Sequence, residues 1–191
     1  MSSIKTVIFL LAVFLMGSSY IMIENYGSSS SYGSITGMPI GTASVTVAGT
    51  AQISLPVSTV SFGTMPPGAI NETSSNSPQP FLIQNDGTVS VNVTIAREPS
   101  SPILFSGTGS GDNSASFQFA ANVSTEAGSF DTSTSIMTWT NMPGTAPIEF
   151  LKGLKHPTPS DSAEVELRIA VPGDEPPGVK SEALSFIAYQ S

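Results

Sequence analysis

From Val89 the chain reads VSVNVTI. Val89, Val91, Val93 and Ile95 fall in one phase, and Ser90, Asn92 and Thr94 fall in the other. A period of two predicts a strand with one buried and one wet face. The rhythm returns in AEVELRIAV, where Val165, Leu167, Ile169 and Val171 oppose Glu164, Glu166 and Arg168. On that wet face Arg168 is expected to relieve the repulsion between the two glutamates. Shorter runs have the same character. SVTVAGTAQISL places Val45 and Val47, then Ile53 and Leu55, in a strand pattern, and VSTVSF and FLIQN follow. ILF (Ile103 to Phe105), SFQFAANVS with Phe117 and Phe119 in phase, SIMTWTNM, APIEFLKGL and LSFIAY complete the series. In SIMTWTNM, Ile136, Thr138 and Thr140 oppose Met137 and Trp139. Val, Ile, Thr and Phe dominate these runs, as they do on pleated surfaces. About nine short strands with regular turn signals predict an all-β fold. The expected form is an antiparallel β-sandwich, jelly-roll or Ig-like, with a barrel as second choice.

The punctuation between runs carries its own expectations. TMPPGAINETSSNSPQ is a long turn region. Asn85-Asp86-Gly87 predicts a hairpin joining its flanking runs, because Asp-Gly accepts positive φ. VPGDEPPG, Val171 to Gly178, joins the last two strands. Its three prolines stop a ladder and stiffen the connection, and Asp174 and Glu175 are expected to keep its tip wet.

The N-terminus departs from this pattern. Lys5 precedes an apolar run from Thr6 to Ile23, and no acid appears before Glu24. This is the pattern of a secretory signal, with small residues suiting cleavage after Ser19, or of a retained membrane anchor. Residues 26–42 are Gly/Ser-rich and form a tether. The expected organisation is therefore a signal or anchor over 1–25, a linker over 26–42 and a β-sandwich over 43–191. In either case the domain is exported, so an extracellular or cell-surface location is expected, with contact to the membrane if the N-terminus is retained. Asn71-Glu72-Thr73, Asn92-Val93-Thr94 and Asn122-Val123-Ser124 are three candidate N-glycosylation sequons.

Composition narrows the chemistry. The 191-residue chain has 10% charged residues, a net charge of -8 and no cysteine. A disulfide scaffold and a thiolate metal site are excluded. Six basic residues, spread along the chain, disfavour nucleic acid. His156, the only histidine, sits in LKHPTP with no nucleophile pattern beside it. Gly107-Thr-Gly-Ser-Gly-Asp112 lacks the helix and lysine of a phosphate loop and predicts a hairpin loop. Asp112 with Asn113, and Asp161 with Glu164, are short of a calcium pattern. No catalytic residue, cofactor or metal is expected.

SFGTMPPGAINET and FLIQNDGTVSVNVTI resemble the "FG-x-x-x-PG … I-x-N-x-G-x-x-x-V-x-V" pattern of secreted β-sandwich modules, and the VPGDEPPG ending resembles that of archaeal surface proteins. Together they resemble subunits of archaeal bundling pili and threads, related in fold to the TasA biofilm-matrix proteins. That resemblance implies a homo-oligomer built head to tail by donor-strand complementation, in which a strand from one subunit satisfies an open sheet edge of the next. The implied donor lies between Tyr20 and Ile40. It is either YIMI (Tyr20, Ile21, Met22, Ile23) or SITGMPI (with Ile35, Met38 and Ile40). The alternatives are a monomeric anchored module that binds a glycan or protein through loops such as Pro66 to Pro80 or Val171 to Gly178, and a secreted enzyme.

Overall fold

The computed structural model describes residues 44, 45 and 47–191. The expected signal or anchor, the linker and the candidate donor residues from Tyr20 to Ile40 lie outside them. The chain divides into two units, Met1–Val45 and Thr46–Ser191, and the account below concerns the second.

Among the described residues the fold is all-β, with nine strands in two antiparallel sheets: β1 (Ile53–Val57), β2 (Ile70–Glu72), β3 (Phe81–Asn85), β4 (Val91–Arg97), β5 (Phe117–Asn122), β6 (Thr140–Asn141), β7 (Ile148–Leu154), β8 (Ser162–Ala170) and β9 (Leu184–Gln190). The larger sheet runs β1-β3-β8-β5-β6, and β2 also pairs with β8. The smaller sheet runs β7-β4-β9. The arrangement is β-sandwich-like. β8 organises the larger sheet: it holds β5 on one side, and on the other β3 and β2 in tandem.

The predicted periodicity holds where it was strongest. Val91, Val93 and Ile95 are fully buried, as is Val165, with Leu167 and Ile169 beside it in the core. Phe119 of β5 meets Phe150 of β7 edge to face at 5.7 Å, and Phe150 in turn meets Phe186 of β9 at 6.3 Å. Phe81 of β3 closes the row against Phe186 at 5.8 Å. Four rings thus join the two sheets across their inner faces.

Several sequence expectations are corrected. Asn85-Asp86-Gly87 does not close a hairpin, because β3 and β4 lie in different sheets. The Asn85 carboxamide instead ties the crossover. Its Oδ1 accepts from Gly87 N at 3.0 Å, and its Nδ2 donates to the carbonyls of Val89 at 3.0 Å and Leu154 at 2.9 Å. Gly87 is required for close approach: a Cβ there would lie 2.2 Å from the Thr50 carbonyl oxygen. Val45 and Val47 do not enter a strand; they are 87% and 85% exposed. Residues 58–62, 103–105 and 135–139 hold no strand, and SIMTWTNM contributes only the two residues of β6. β2 arises inside the stretch expected to be a long turn.

The outer face of β8 is not simply wet. Glu166 is buried and accepts from the Thr73 hydroxyl and from Asn122 Nδ2, the latter at 2.9 Å. Arg168 does not bridge the two glutamates; its ion pair is with Glu72 of β2 at 3.8 Å. Burial, and then the neighbouring Glu166, push the Glu164 carboxyl above its ordinary value.

Candidate functional site

Strand register fixes the two poles of the domain. β8 starts beside Gln84 and ends beside Ile70. At the first pole lie the β3–β4 crossover and the chain's entry into the domain, where Thr88 N donates to the Thr50 carbonyl and Asp86 N to that of Gln52. The C-terminal Ser191 is there too, its N donating to Ser90 O. At the opposite pole lie the β1–β2 segment (58–69), the β4–β5 loop (98–116) and the β8–β9 connection (171–183).

A groove of about 810 Å³ opens at this second pole. Among the described residues the smaller sheet has three strands, fewer than the sheet it faces, and the groove lies where the larger sheet is left uncovered. Beyond the Phe81–Phe186 contact the inner face of the larger sheet continues, carrying Phe117, Leu167 and Ile169, and these form an apolar floor. One wall is the irregular run from Ser58 to Met65, in which Val60, Phe62 and Met65 pack on the core. The other wall runs from Glu175 to Leu184 and leads into β9. Among the described residues β9 pairs only with β4, which makes it an edge strand of that sheet. Free backbone donors and acceptors on an edge are the groups an added strand satisfies.

The VPGDEPPG connection builds the second wall, and here the expectation of a wet tip fails for one of its acids. Glu175 is 7% exposed. Its carboxylate accepts from Ser106 N at 2.8 Å and Gly107 N at 2.7 Å, and pairs with Lys180 Nζ at 2.5 Å. Lys180, with these amides, holds Glu175 below its ordinary value. Asp174, which is exposed, accepts from Thr108 N at 2.8 Å and from the Thr108 hydroxyl at 2.5 Å, and the Thr108 side chain lowers its pKa. The glycine-rich loop starting at Gly107 therefore does gather anions on its amides, and they are the chain's own carboxylates. Pro172 and Asp174 lie so close that a Cβ at Gly107 would sit 2.6 Å from each. On the far side the wall is tied down by Gly68 N to Val171 O and Val171 N to Ala69 O, both 2.9 Å.

Beside the groove, Arg97 of β4 makes a two-pronged bond to Asp112, at 3.0 and 2.9 Å, and raises no catalytic geometry with it. Glu182 on the rim takes a bond from Leu104 N at 2.7 Å, and burial pushes its carboxyl upward. His156 is exposed in the β7–β8 loop at the other pole. Among the described residues, no cluster of three His, Cys, Asp or Glu could hold a metal ion, and no helix is long and apolar enough to cross a membrane.

The three sequon asparagines lie on strands, all half-buried. Asn92 Nδ2 donates to Glu149 at 3.2 Å while its Oδ1 accepts from Gly153 N. Asn122 Nδ2 is held by Glu166 and, at 3.4 Å, by Glu164. Asn71 uses only its Oδ1, accepting from Glu72 N at 2.9 Å, and its Nδ2 makes no hydrogen bond among the described residues. The groove had no single signal in the sequence. Its floor residues were read as core, and only the two loops that wall it were singled out as candidate surfaces. The chain matches no family model, and no curated protein matches it.

Proposed function

We propose that this chain is the structural subunit of an extracellular, cell-surface filament, polymerising head to tail by strand addition. The observation that carries the reading is the opposition of poles: an apolar groove beside a free edge strand at one end, and the chain's entry at the other. An N-terminal segment leaving one pole and a groove opening at the other make a heterologous contact. Such a contact builds an open filament wherever the rotation between successive subunits does not close a ring. The resemblance to archaeal pilus and thread subunits and TasA-like proteins points the same way, and the reading needs no catalytic residue or cofactor.

The test is negative-stain microscopy and sedimentation of the exported protein, with and without residues 20–40. Filaments from the intact chain support the proposal, and a wild-type protein that stays monomeric at all concentrations defeats it. N-terminal sequencing adds a second readout: a start at Tyr20 favours assembly, an intact Met1 favours membrane anchorage. The second reading is a monomeric anchored surface module. It is favoured by the size of the groove, which falls within the range of sites that hold small molecules.

A further inference from the structure

Glu149, Lys152 and Asn92 meet on the outer face of the smaller sheet. Lys152 Nζ lies 2.9 Å from Glu149 Oε1, and Asn92 Nδ2 donates to Glu149 Oε2 at 3.2 Å. The Asn92 carboxamide oxygen meanwhile accepts from Gly153 N at 2.9 Å. In a regular strand, residues three apart point to opposite faces, so Glu149 and Lys152 should not meet. An irregularity in β7 brings them together. Phe150 and Leu151 are both fully buried although consecutive, and the register with β4 shifts there. Gly153 follows with φ at 64°, in the left-handed region. Bulges of this kind re-aim side chains. We propose that Asn92 and Lys152 form an intramolecular isopeptide bond, with Glu149 carrying the protons and ammonia leaving.

The three contacts divide the work of an acyl transfer. Lys152 supplies the nucleophile, Glu149 touches both it and the leaving nitrogen, and Gly153 N holds the oxygen on which charge develops. Lys152 gives a proton to Glu149, and its neutral amine attacks Asn92 Cγ. A Cγ–Nζ bond forms and the Cγ–Nδ2 bond breaks. Of the two protons that Nζ loses, one reaches Nδ2 through Glu149 and the other departs with the ammonia as ammonium. Glu149 ends ionised, as it began, and no oxidant, reductant or co-reactant enters.

Reach allows the bond. Val93 stands opposite Leu151 and Val91 opposite Leu154, which leaves Asn92 facing Lys152 and Gly153. Facing residues on paired strands have Cβ atoms about 4.5–5.5 Å apart, a gap that a lysine stem spans. All four residues are half-buried. An ion pair so placed contributes little stability and needs neither the bulge nor the carboxamide. An amine held beside a carboxamide, by contrast, gains effective concentration. The bond would join β7 to β4, the middle strand of the smaller sheet, so that sliding one past the other means breaking a covalent link. It is independent of the assembly reading, since a monomer would carry it equally.

The test is peptide mass spectrometry of the full-length wild type, Lys152→Arg and Glu149→Gln, each as purified and after incubation in alkaline buffer, which raises the share of neutral amine. Wild type is expected to lose one ammonia and to yield a branched peptide joining Asn92 to Lys152. Lys152→Arg, which keeps the charge, is expected to yield none, and Glu149→Gln to form the branch at least tenfold more slowly. The linked wild type should also melt at a higher temperature than Lys152→Arg. Wild-type peptides that stay linear throughout overturn the proposal, whether or not the chain builds filaments. Ammonia loss without branching does the same, because it marks an asparagine cyclised on its own backbone. A glycan on Asn92 also overturns it, since glycosylation spends the nitrogen that must leave. Equal rates in wild type and Glu149→Gln would overturn the role given to Glu149.

Discussion

Replacing Asn85 by Ala should be among the more damaging single changes in a polar residue of this domain. Asn85 is 1% exposed, and its carboxamide makes three hydrogen bonds that hold the β3–β4 crossover to the end of β7. The bonds to Gly87 N and Val89 O are worth about 0.5–1.5 kcal/mol each. The third, to the Leu154 carbonyl, is fully buried, and leaving that end unpaired costs about 1–3 kcal/mol. The sum is about 2–6 kcal/mol, a large fraction of the roughly 5–15 kcal/mol that holds a domain folded. Asn85→Asp sharpens the test. The carboxylate keeps the Gly87 bond but turns an oxygen toward two carbonyl oxygens, so it should be at least as harmful as Ala at neutral pH. Protonation restores one donor, so the deficit of the Asp variant should shrink in acid while that of the Ala variant does not. Urea unfolding followed through Trp139, the chain's single tryptophan, measures both. A cost below about 0.5 kcal/mol for Asn85→Ala would show that the crossover is not held by this side chain.

Four further outcomes are expected. Phe150→Ala should cost about 3–5 kcal/mol in urea unfolding, and a double-mutant cycle with Phe119→Ala should show about 0.5–1.5 kcal/mol of coupling; strict additivity would deny the cross-sheet ring contact. Glu164 has a folded pKa above 4.5, so ionising it opposes folding. Glu164→Gln should raise the melting temperature at pH 7, with the gain disappearing as pH falls toward 4.5, and an unchanged melt at pH 7 refutes the assignment. Glu175 has a folded pKa below 4.5, so its stabilisation is present above that value and lost as pH falls through the folded one. Glu175→Gln should lower the melting temperature at pH 7 and approach wild type in stronger acid; a pH-independent difference would count against the ionised Glu175 carboxylate holding Ser106, Gly107 and Lys180. If glycans are attached, peptide mass spectrometry of the exported protein should find Asn71 modified before Asn92 or Asn122, because among the described residues those two side-chain amides already donate while that of Asn71 does not.

The strands that were legible in the sequence are those whose burial is decided one face at a time. β4 and β8 announce themselves through Val91, Val93, Ile95 and Val165, Leu167, Ile169, because a two-residue period and a half-buried sheet are the same statement. β2 was illegible for the opposite reason: three residues with one exposed isoleucine have no periodicity to read, and pairing with β8 alone makes them a strand. Asp86-Gly87 misled because turn chemistry describes a local bend and not which sheet the chain joins next. Glu166 looked solvated from its spacing, yet Thr73 and Asn122, distant in sequence, cover it. The groove belongs to the same class. It follows from β2 and β3 sharing one side of β8 while the facing sheet stops at β9, a matter of strand order that no single stretch of residues encodes. Val45 and Val47 have a strand's alternation, yet neither lies in a strand, because alternation alone does not supply a pairing partner.

The carboxylates of Asp174 and Glu175, set on the amides of Ser106, Gly107 and Thr108, have a consequence for kinetics. A proline-rich connection pinned at its middle and braced by Lys180 has already surrendered its rotational freedom before anything arrives. Were a chain to dock here as proposed, it would order only itself, and the entropy lost on association would be borne by one side of the contact. Such preorganisation shows mainly in slow dissociation, so an assembly made this way should persist long after dilution.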